Sequence, residues 1–191
     1  THKTLNRFRS FGYKVSQNHT RTCWILKCDI RKFFENINHD ILLGIIRKRI
    51  KDKDVLWLLE EVVEGFTSER SNLFERRGLP IGNLTSQLFA NVYMNEFDQF
   101  VKHKLKVKHY FRYTDDFVVV SDNAIYLKEL IPQIKSFLDI HLKLNLHPKK
   151  ISIRKLKQGI DFLGYITLPY HSALRTKTRL RVFNKLKQRD A

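Results

Sequence analysis

The chain contains no run of eighteen or more apolar residues of the kind that spans a bilayer. Its first residues, THKTLNRFRS, have no apolar core of the sort a secretory leader carries. Neither a membrane span nor secretion is indicated, and a cytoplasmic protein is expected. Acidic residues are scarce: 19 Asp and Glu face 36 Lys and Arg, for a net charge of +17. That excess goes beyond what solubility needs and points to a polyanionic partner, with nucleic acid the first candidate. There are only two cysteines, Cys23 and Cys28, both on one expected strand. Five residues of strand span roughly 16 Å, too far for a bridge that needs Cα atoms within about 7 Å. Free thiols are expected, and no metal-ligand spacing surrounds them. No internal repeat or low-complexity tract is present, and 191 residues with 42% hydrophobic content can bury one good core.

The few acids are placed unevenly. None precedes Asp29, while six Lys or Arg do, and from His141 to the end 13 Lys or Arg stand against 2 acids. A basic frame around an acidic centre suits an enzyme that grips phosphates and holds a cation. A solvated basic surface is the plainer alternative.

Residues 23 to 30, CWILKCDI, alternate as a strand, with Trp24, Leu26, Cys28 and Ile30 on one face and Ile25, Lys27 and Asp29 on the other. Asp29 is therefore expected to point away from the apolar face. NHDILLGIIRKRI has helical spacing with Asn38 and Asp40 as capping candidates, and KDVLWLLEEVVEGF predicts a second helix. TSERSN breaks the pattern, and Gly78, Pro80 and Gly82 mark a loop in RRGLPIGNLTSQ. Leu88, Val92, Phe97 and Val101 support a long helix from about Leu84 to Lys104. VKHYFRY and FVVVS read as strands joined by a tight turn at TDD, and NAIYLKELIPQIKSFLDIHL as a helix in which Pro132 could introduce a kink. KLNLH, KKISIRKL and IDFLGYITL each read as one strand, and TKTRLRVFNKLKQRD as a basic amphipathic tail. The fold class expected is α+β, an antiparallel sheet covered by helices on one face.

The TDD turn carries the chemical signal. Two-residue hairpins favour Asn-Gly or Asp-Gly, whereas Asp115 and Asp116 repel each other. A solvated turn is the bland reading, but Asp29 adds a third acid at the end of a neighbouring strand. Three carboxylates drawn together are tolerable around divalent cations, and hard oxygen ligands suit magnesium. Two such ions can activate an attacking hydroxyl and stabilise a leaving oxygen in phosphoryl transfer.

At this point a family resemblance enters. CDIRKFF resembles motif A of reverse transcriptases, GLPIGNLTSQ motif B, YTDD motif C, LKLNLHPKK motif D and GIDFLGYI motif E, in the family's order from residue 23 to about 166. The resemblance implies a polymerase palm over 23–168, with 1–22 a remnant of fingers and 169–191 a basic start of a thumb. It also implies RNA-templated DNA synthesis with two Mg²⁺ ions, for which Mn²⁺ can substitute. The metals would be held by Asp29, Asp115, Asp116 and the backbone carbonyl of Ile30. Lys32 and Phe33 would offer backbone amides to a deoxynucleoside triphosphate. Phe34 matches the aromatic steric gate, or is a core Phe following the strand. Ile81, Gly82 and Gln87 fall at the nucleotide site. Lys150 aligns best with the motif D lysine proposed to protonate pyrophosphate, with Lys149 adjacent. Arg112 is either a rim salt bridge or a template contact. Phe162, Leu163 and Gly164 resemble the primer grip, though FLG also suits hairpin packing. His39 and His109 read as structural.

Motif B departs from the common pattern: Ile81-Gly82 stands where Gln-Gly is usual, and Ser86-Gln87 where Ser-Pro is usual. With THKTL and LHPKK, that variant looks like diversity-generating retroelement enzymes, which copy RNA with misincorporation opposite adenine. An apolar Ile81 has lost a directional hydrogen bond that could enforce geometric selection. Group II intron, retron and phage-defence enzymes are the alternatives, the intron class being disfavoured by IGNLTSQ. A nucleic-acid-binding scaffold with vestigial acids is a further one. The resemblance also implies an RNA template, a DNA primer, a possible basic accessory protein, a bacterial or phage source, and weak or no polymerisation by these 191 residues alone, since finger and thumb parts are missing.

Overall fold

The computed structural model describes residues 2–66 and 76–188. TSERSN and the end of the basic tail lie outside them.

The central sheet is antiparallel with strand order β2-β3-β1-β4, where β1 is Trp24–Asp29, β2 Tyr110–Tyr113, β3 Asp116–Ser121 and β4 Ser152–Lys155. Strand β1 sits between β3 and β4, and both of its faces are covered. Leu26 and Cys28, with Ile30 just beyond, join the larger core, whereas Cys23 and Ile25 join a smaller one behind it. The face that was expected to be polar is thus apolar at its Ile25 end and carries Asp29 at the other. Both cysteines are free and buried, and burial pushes each thiol up to about 12.

On the inner face lie α3 (His39–Arg49), α5 (Leu84–Gln99) and α6 (Ala124–Leu142), with α2 (Phe33–Asn36) and α4 (Lys53–Glu64) beside them. Leu42, Tyr93, Met94, Phe97, Ile134 and Leu138 are fully buried there. Complete burial of such side chains contributes on the order of 2–3 kcal/mol each. Asn38 caps α3 by accepting from the Ile41 amide at 3.0 Å. Asn123 caps α6 by accepting from the Ile125 and Tyr126 amides at 2.8 and 3.1 Å. Helix α6 runs through Pro132 without interruption.

Several expectations change. The helix predicted to end at Lys104 finishes as a π-helical turn, Phe100–Lys104, closed by the Leu105 amide on the Phe100 carbonyl at 3.0 Å. The wider turn keeps Val101 in the core, and Phe100 stacks on Phe137 at 4.1 Å. Leu88 is exposed, because the buried face of α5 runs through Phe89, Ala90, Tyr93, Met94 and Phe97. KLNLH makes only a single bridge, Leu146 to Ile30, and Pro148–Lys150 forms a 3-10 turn, so the strand begins at Ser152. IDFLGYITL is two strands, β5 (Ile160–Phe162) and β6 (Tyr165–Thr167), joined through Leu163 and Gly164, both at positive φ (52° and 83°). With β7 (Ser172–Leu174) they form a second sheet of order β5-β6-β7, followed by α7 (Thr176–Lys187).

The outer face of the central sheet is covered at one end by α1 (His2–Val15), a helix not anticipated from the sequence. Leu5 and Phe8 pack there with Phe111, Val118, Val120 and Phe162. Helices therefore lie on both faces, the main group on one. No described helix is long and apolar enough to cross a membrane.

Candidate active site

The two strands that meet at the acids have fixed register. Asp29, last in β1, stands directly opposite Asp116, first in β3. Cross-strand partners point to the same side of a sheet, and alternation puts Lys27 there too. Tyr113 pairs with Asp116, so the hairpin turn is Thr114-Asp115 and Asp116 is a strand residue. The Asp115 carbonyl accepts from the Ile30 amide at 3.2 Å, tying the turn to the end of β1. On the other side, the Asp29 carbonyl accepts from the His147 amide and the Arg31 amide donates to the Asn145 carbonyl, both at 2.8 Å. The segment read as a strand thus serves to pin residues 29–31 in place.

Thr114 holds φ at 57°, a conformation that costs a β-branched residue of order 1–3 kcal/mol. Arg112 holds the turn in that shape, its Nη1 donating to the Thr114 carbonyl at 2.9 Å. The rest of the Arg112 guanidinium grips Asp98 through Nε (3.0 Å) and Nη2 (2.8 Å), and Tyr110 Oη donates to the same carboxylate at 2.6 Å. Of the two readings left open for Arg112, the ion pair is the one formed, and its side chain is 8% exposed.

Electrostatics are strained where the acids meet. Burial pushes the Asp116 carboxyl up to about 6, with Asp29 and Asp115 adding to the rise and Lys27 opposing it. Asp115 is raised as well, chiefly by burial. Asp116 Oδ1 is buried with no hydrogen-bond partner. Lys150 Nζ donates to Asp29 Oδ2 at 2.8 Å, and this bond holds the ammonium above its usual range. Lys149 instead turns its backbone amide to His147 Nδ1.

Among the described residues no group of three His, Cys, Asp or Glu side chains forms a ready-made ion cage. The donor chemistry nevertheless fits magnesium, which keeps several waters and needs only one or two carboxylates beside substrate phosphates. An orphaned carboxylate oxygen on Asp116 and like-charged neighbours are the groups a divalent cation would relieve.

The remaining site candidates divide. Lys32 sits at positive φ (47°) and donates to Glu35 at 2.9 Å. Phe33 is buried, and half-buried Phe34 meets it edge-on at 5.3 Å. The Phe34 carbonyl accepts from the Leu79 amide at 2.8 Å, which joins the motif A and motif B segments. Ile81, Gly82 and Gln87 all lie exposed on the loop and first turn of α5. Phe162 is fully buried against Phe8 and Phe111, so its ring is core, and only Leu163 and Gly164 stand at the hairpin tip. His39 Nε2 meets the Gly78 carbonyl at 2.8 Å. Burial, with Lys14 and Lys108 nearby, lowers His109. His39 is thus tied to the backbone in the core, and the His109 ring packs edge-on against Phe11 at 5.0 Å.

Lys27 was missed. Its Nζ donates to the Asp161 carbonyl at 2.8 Å and lies 5.8 Å from the Phe162 ring centre, so it links the second sheet to the acidic end of β1. The signal was available, since residues 27 and 29 share a strand face.

Comparison with known proteins gives a consistent picture. YkfC of Escherichia coli is 25% identical over 209 residues, covering 90% of this chain and 53% of YkfC. The group II intron-encoded protein LtrA of Lactococcus lactis is 25% identical, covering 74% of this chain and 34% of LtrA. The chain thus spans about half the length of one relative and a third of the other. LtrA belongs to the class that motif B argued against, and these relatives do not single out the diversity-generating subclass. Telomerase from Candida tropicalis, solved in complex with a fragment of telomeric RNA, has a TM-score of 0.70 at 14% identity, over 92% of this chain and 33% of that one. Telomerase from Candida albicans gives 0.70 at 13% identity. At such identities the likeness is one of fold, that of a polymerase palm. Residues 1–167 match the family described as reverse transcriptase (RNA-dependent DNA polymerase), and the chain belongs to that family.

Proposed function

We propose that this chain carries the catalytic palm of an enzyme that synthesises DNA on an RNA template, with Asp29, Asp115 and Asp116 as its acidic centre. The observation that carries the reading is the register of β1 against β3, which sets Asp29 across from Asp116 beside the Asp115 turn. Asp29, Asp115, Asp116 and the Ile30 carbonyl would hold two Mg²⁺ ions, or Mn²⁺ in their place. Bound there, the ions would activate the primer hydroxyl and stabilise the leaving oxygen.

The chain's own residues supply positioning. Lys32 and Phe33 would turn backbone amides to the triphosphate, and Phe34, braced on Phe33, would exclude a ribose 2′-hydroxyl. Ile81, Gly82 and Gln87 would border the incoming nucleotide and template. Lys150, kept protonated by Asp29, is suited to give a proton to pyrophosphate once it leaves that carboxylate. Leu163 and Gly164 would meet the primer by their backbone. In domain terms, 1–22 belongs with the fingers, 23–168 is the palm and 169–191 leads toward a thumb. Partners are an RNA template, a DNA primer and deoxynucleoside triphosphates, with a basic accessory protein for the diversity-generating class. The setting is the cytoplasm of a bacterium or of a phage-infected one.

Two subclasses compete, each with its own observation. Similarity to LtrA favours an intron-encoded enzyme. Ile81, apolar yet 81% exposed among the described residues, favours error-prone copying of the diversity-generating kind. Primer extension by the full-length polypeptide on an adenine-containing RNA, with products sequenced, separates them. Frequent misincorporation opposite adenine that falls in Ile81→Gln supports the second. Faithful copying by both proteins supports the first, and absence of synthesis with any primer sinks the enzyme reading.

A further inference from the structure

At the opposite end of β1 from Asp29, roughly 16 Å away along the strand, the chain between α1 and β1 does something costly. Gln17, Asn18 and His19 hold φ at 48°, 61° and 67°, three consecutive non-glycine residues in the left-handed region. Each such residue costs of order 1 kcal/mol. The turn is held by Ser16, 2% exposed, whose Oγ donates to the Gly12 carbonyl at 2.6 Å and accepts from the His19 amide at 2.9 Å. The same Oγ lies 3.1 Å from His19 Nδ1, which orients the ring.

The product of this strain is a displayed aromatic array. His19 meets Tyr13 at 5.4 Å and Tyr170 at 5.0 Å, both edge to face. Tyr170 comes from the turn between β6 and β7, is 76% exposed, and is joined to the array across 151 residues of sequence. Asn6, Arg9, Ser10, Tyr13 and His19 line an open groove of about 340 Å³ beside it. Helix α1 has no acidic residue to offset its Arg9, Arg7, Lys3 and Lys14. An exposed tyrosine held by a buttressed histidine, next to an open groove that carries Arg9, pairs a stacking surface with a phosphate contact. Those are the two elements of single-strand recognition.

We infer that Tyr13, His19 and Tyr170, with Arg9, form a docking site for a single-stranded nucleic-acid segment outside the catalytic centre. A base stacks on the exposed face of Tyr170, and Arg9 takes a neighbouring phosphate. This goes beyond the polymerase reading and does not depend on it, because none of these residues belongs to the acidic centre.

The test uses the full chain and fluorescein-labelled single-stranded RNA, the matching DNA, and an abasic strand of the same length, read by anisotropy across a salt series. Tyr170→Ala weakens RNA binding by about 5- to 100-fold, while Tyr170→Phe keeps it. The abasic strand is indifferent to Tyr170→Ala, but Arg9→Gln still lowers its salt slope by about 1. If DNA loses as much as RNA, the site takes either strand; if RNA alone loses, it takes RNA. Asp29→Ala, which removes a proposed metal ligand, leaves the Tyr170 dependence intact, so the two readings fail separately. Because Tyr170 lies on an exposed turn, thermal midpoints of the parent and Tyr170→Ala should agree. Equal RNA affinity of parent and Tyr170→Ala, or an equal loss on the abasic strand, overturns the inference.

Discussion

Lys150 Nζ lies 2.8 Å from Asp29 Oδ2, so a protein cation stands against the carboxylate that faces Asp116 across the sheet. An ammonium there competes with any divalent ion for the same oxygen. Lys150→Met should therefore bind Mn²⁺ more tightly than the parent while extending primers more slowly, since the proposed proton donor is gone. Electron paramagnetic resonance of free Mn²⁺ and single-turnover extension check the two effects. Weaker Mn²⁺ binding in the variant would show that Lys150 instead organises the acids.

Asp116 gives a pH signature. Its carboxyl is pushed up to about 6 in the folded chain, above the value near 3.9 of a free aspartate. The folded state therefore binds the proton more tightly than the unfolded one. Its contribution to stability is fully present below about 4 and is lost as pH rises through 6. In a chelator, Asp116→Asn should unfold at a higher temperature than the parent at pH 7.5, with the gap closing toward pH 4, and the variant should not extend primers. A pH-independent gap would contradict the account in which burial, with Asp29 and Asp115 adding, raises this carboxyl.

Arg112→Ala should cost about 3 kcal/mol by urea denaturation, because Asp98 is left with the Tyr110 hydroxyl alone of its three donors and the Thr114 carbonyl loses the Arg112 bond. Arg112→Lys should recover little, since a point charge cannot reproduce the bidentate fork. A loss below about 0.5 kcal/mol would indicate a surface pair of little consequence and reopen the template-contact reading.

Gly159 holds φ at 76°, and a Cβ there would lie 2.8 Å from Ile166 Cγ2. Gly159→Ala combines that close approach with a left-handed backbone penalty, and should destabilise the chain by about 2 kcal/mol. Thermal unfolding with a change under about 0.5 kcal/mol would mean that the β5-β6 hairpin shifts freely.

The central hairpin and the site of Asp29 were legible because CWILKCDI and FVVVS are short runs rich in apolar and β-branched residues, and a turn of two residues leaves no choice of register. Helix α1 was legible but overlooked: Leu5, Phe8, Gly12 and Val15 recur at helical spacing, with Gly12 allowing Leu156 to approach closely. The break in IDFLGYITL was not, since Leu163 at positive φ is a residue type with no preference for that conformation. KLNLH alternates like a strand yet forms only the single bridge at Leu146, an outcome that depends on tertiary pairing rather than pattern. The Arg112–Asp98 clamp and the exposure of Ile81 likewise arise from how distant segments meet.

Calorimetric titration of Mn²⁺ into the full chain and into Asp29→Ala and Asp115→Ala tests the acidic centre most directly. The parent should bind, and each variant should lose at least about tenfold in affinity, or about 1.4 kcal/mol, while keeping its fold by circular dichroism. Parent-like affinity in both variants would contradict the assignment of these carboxylates to the metal.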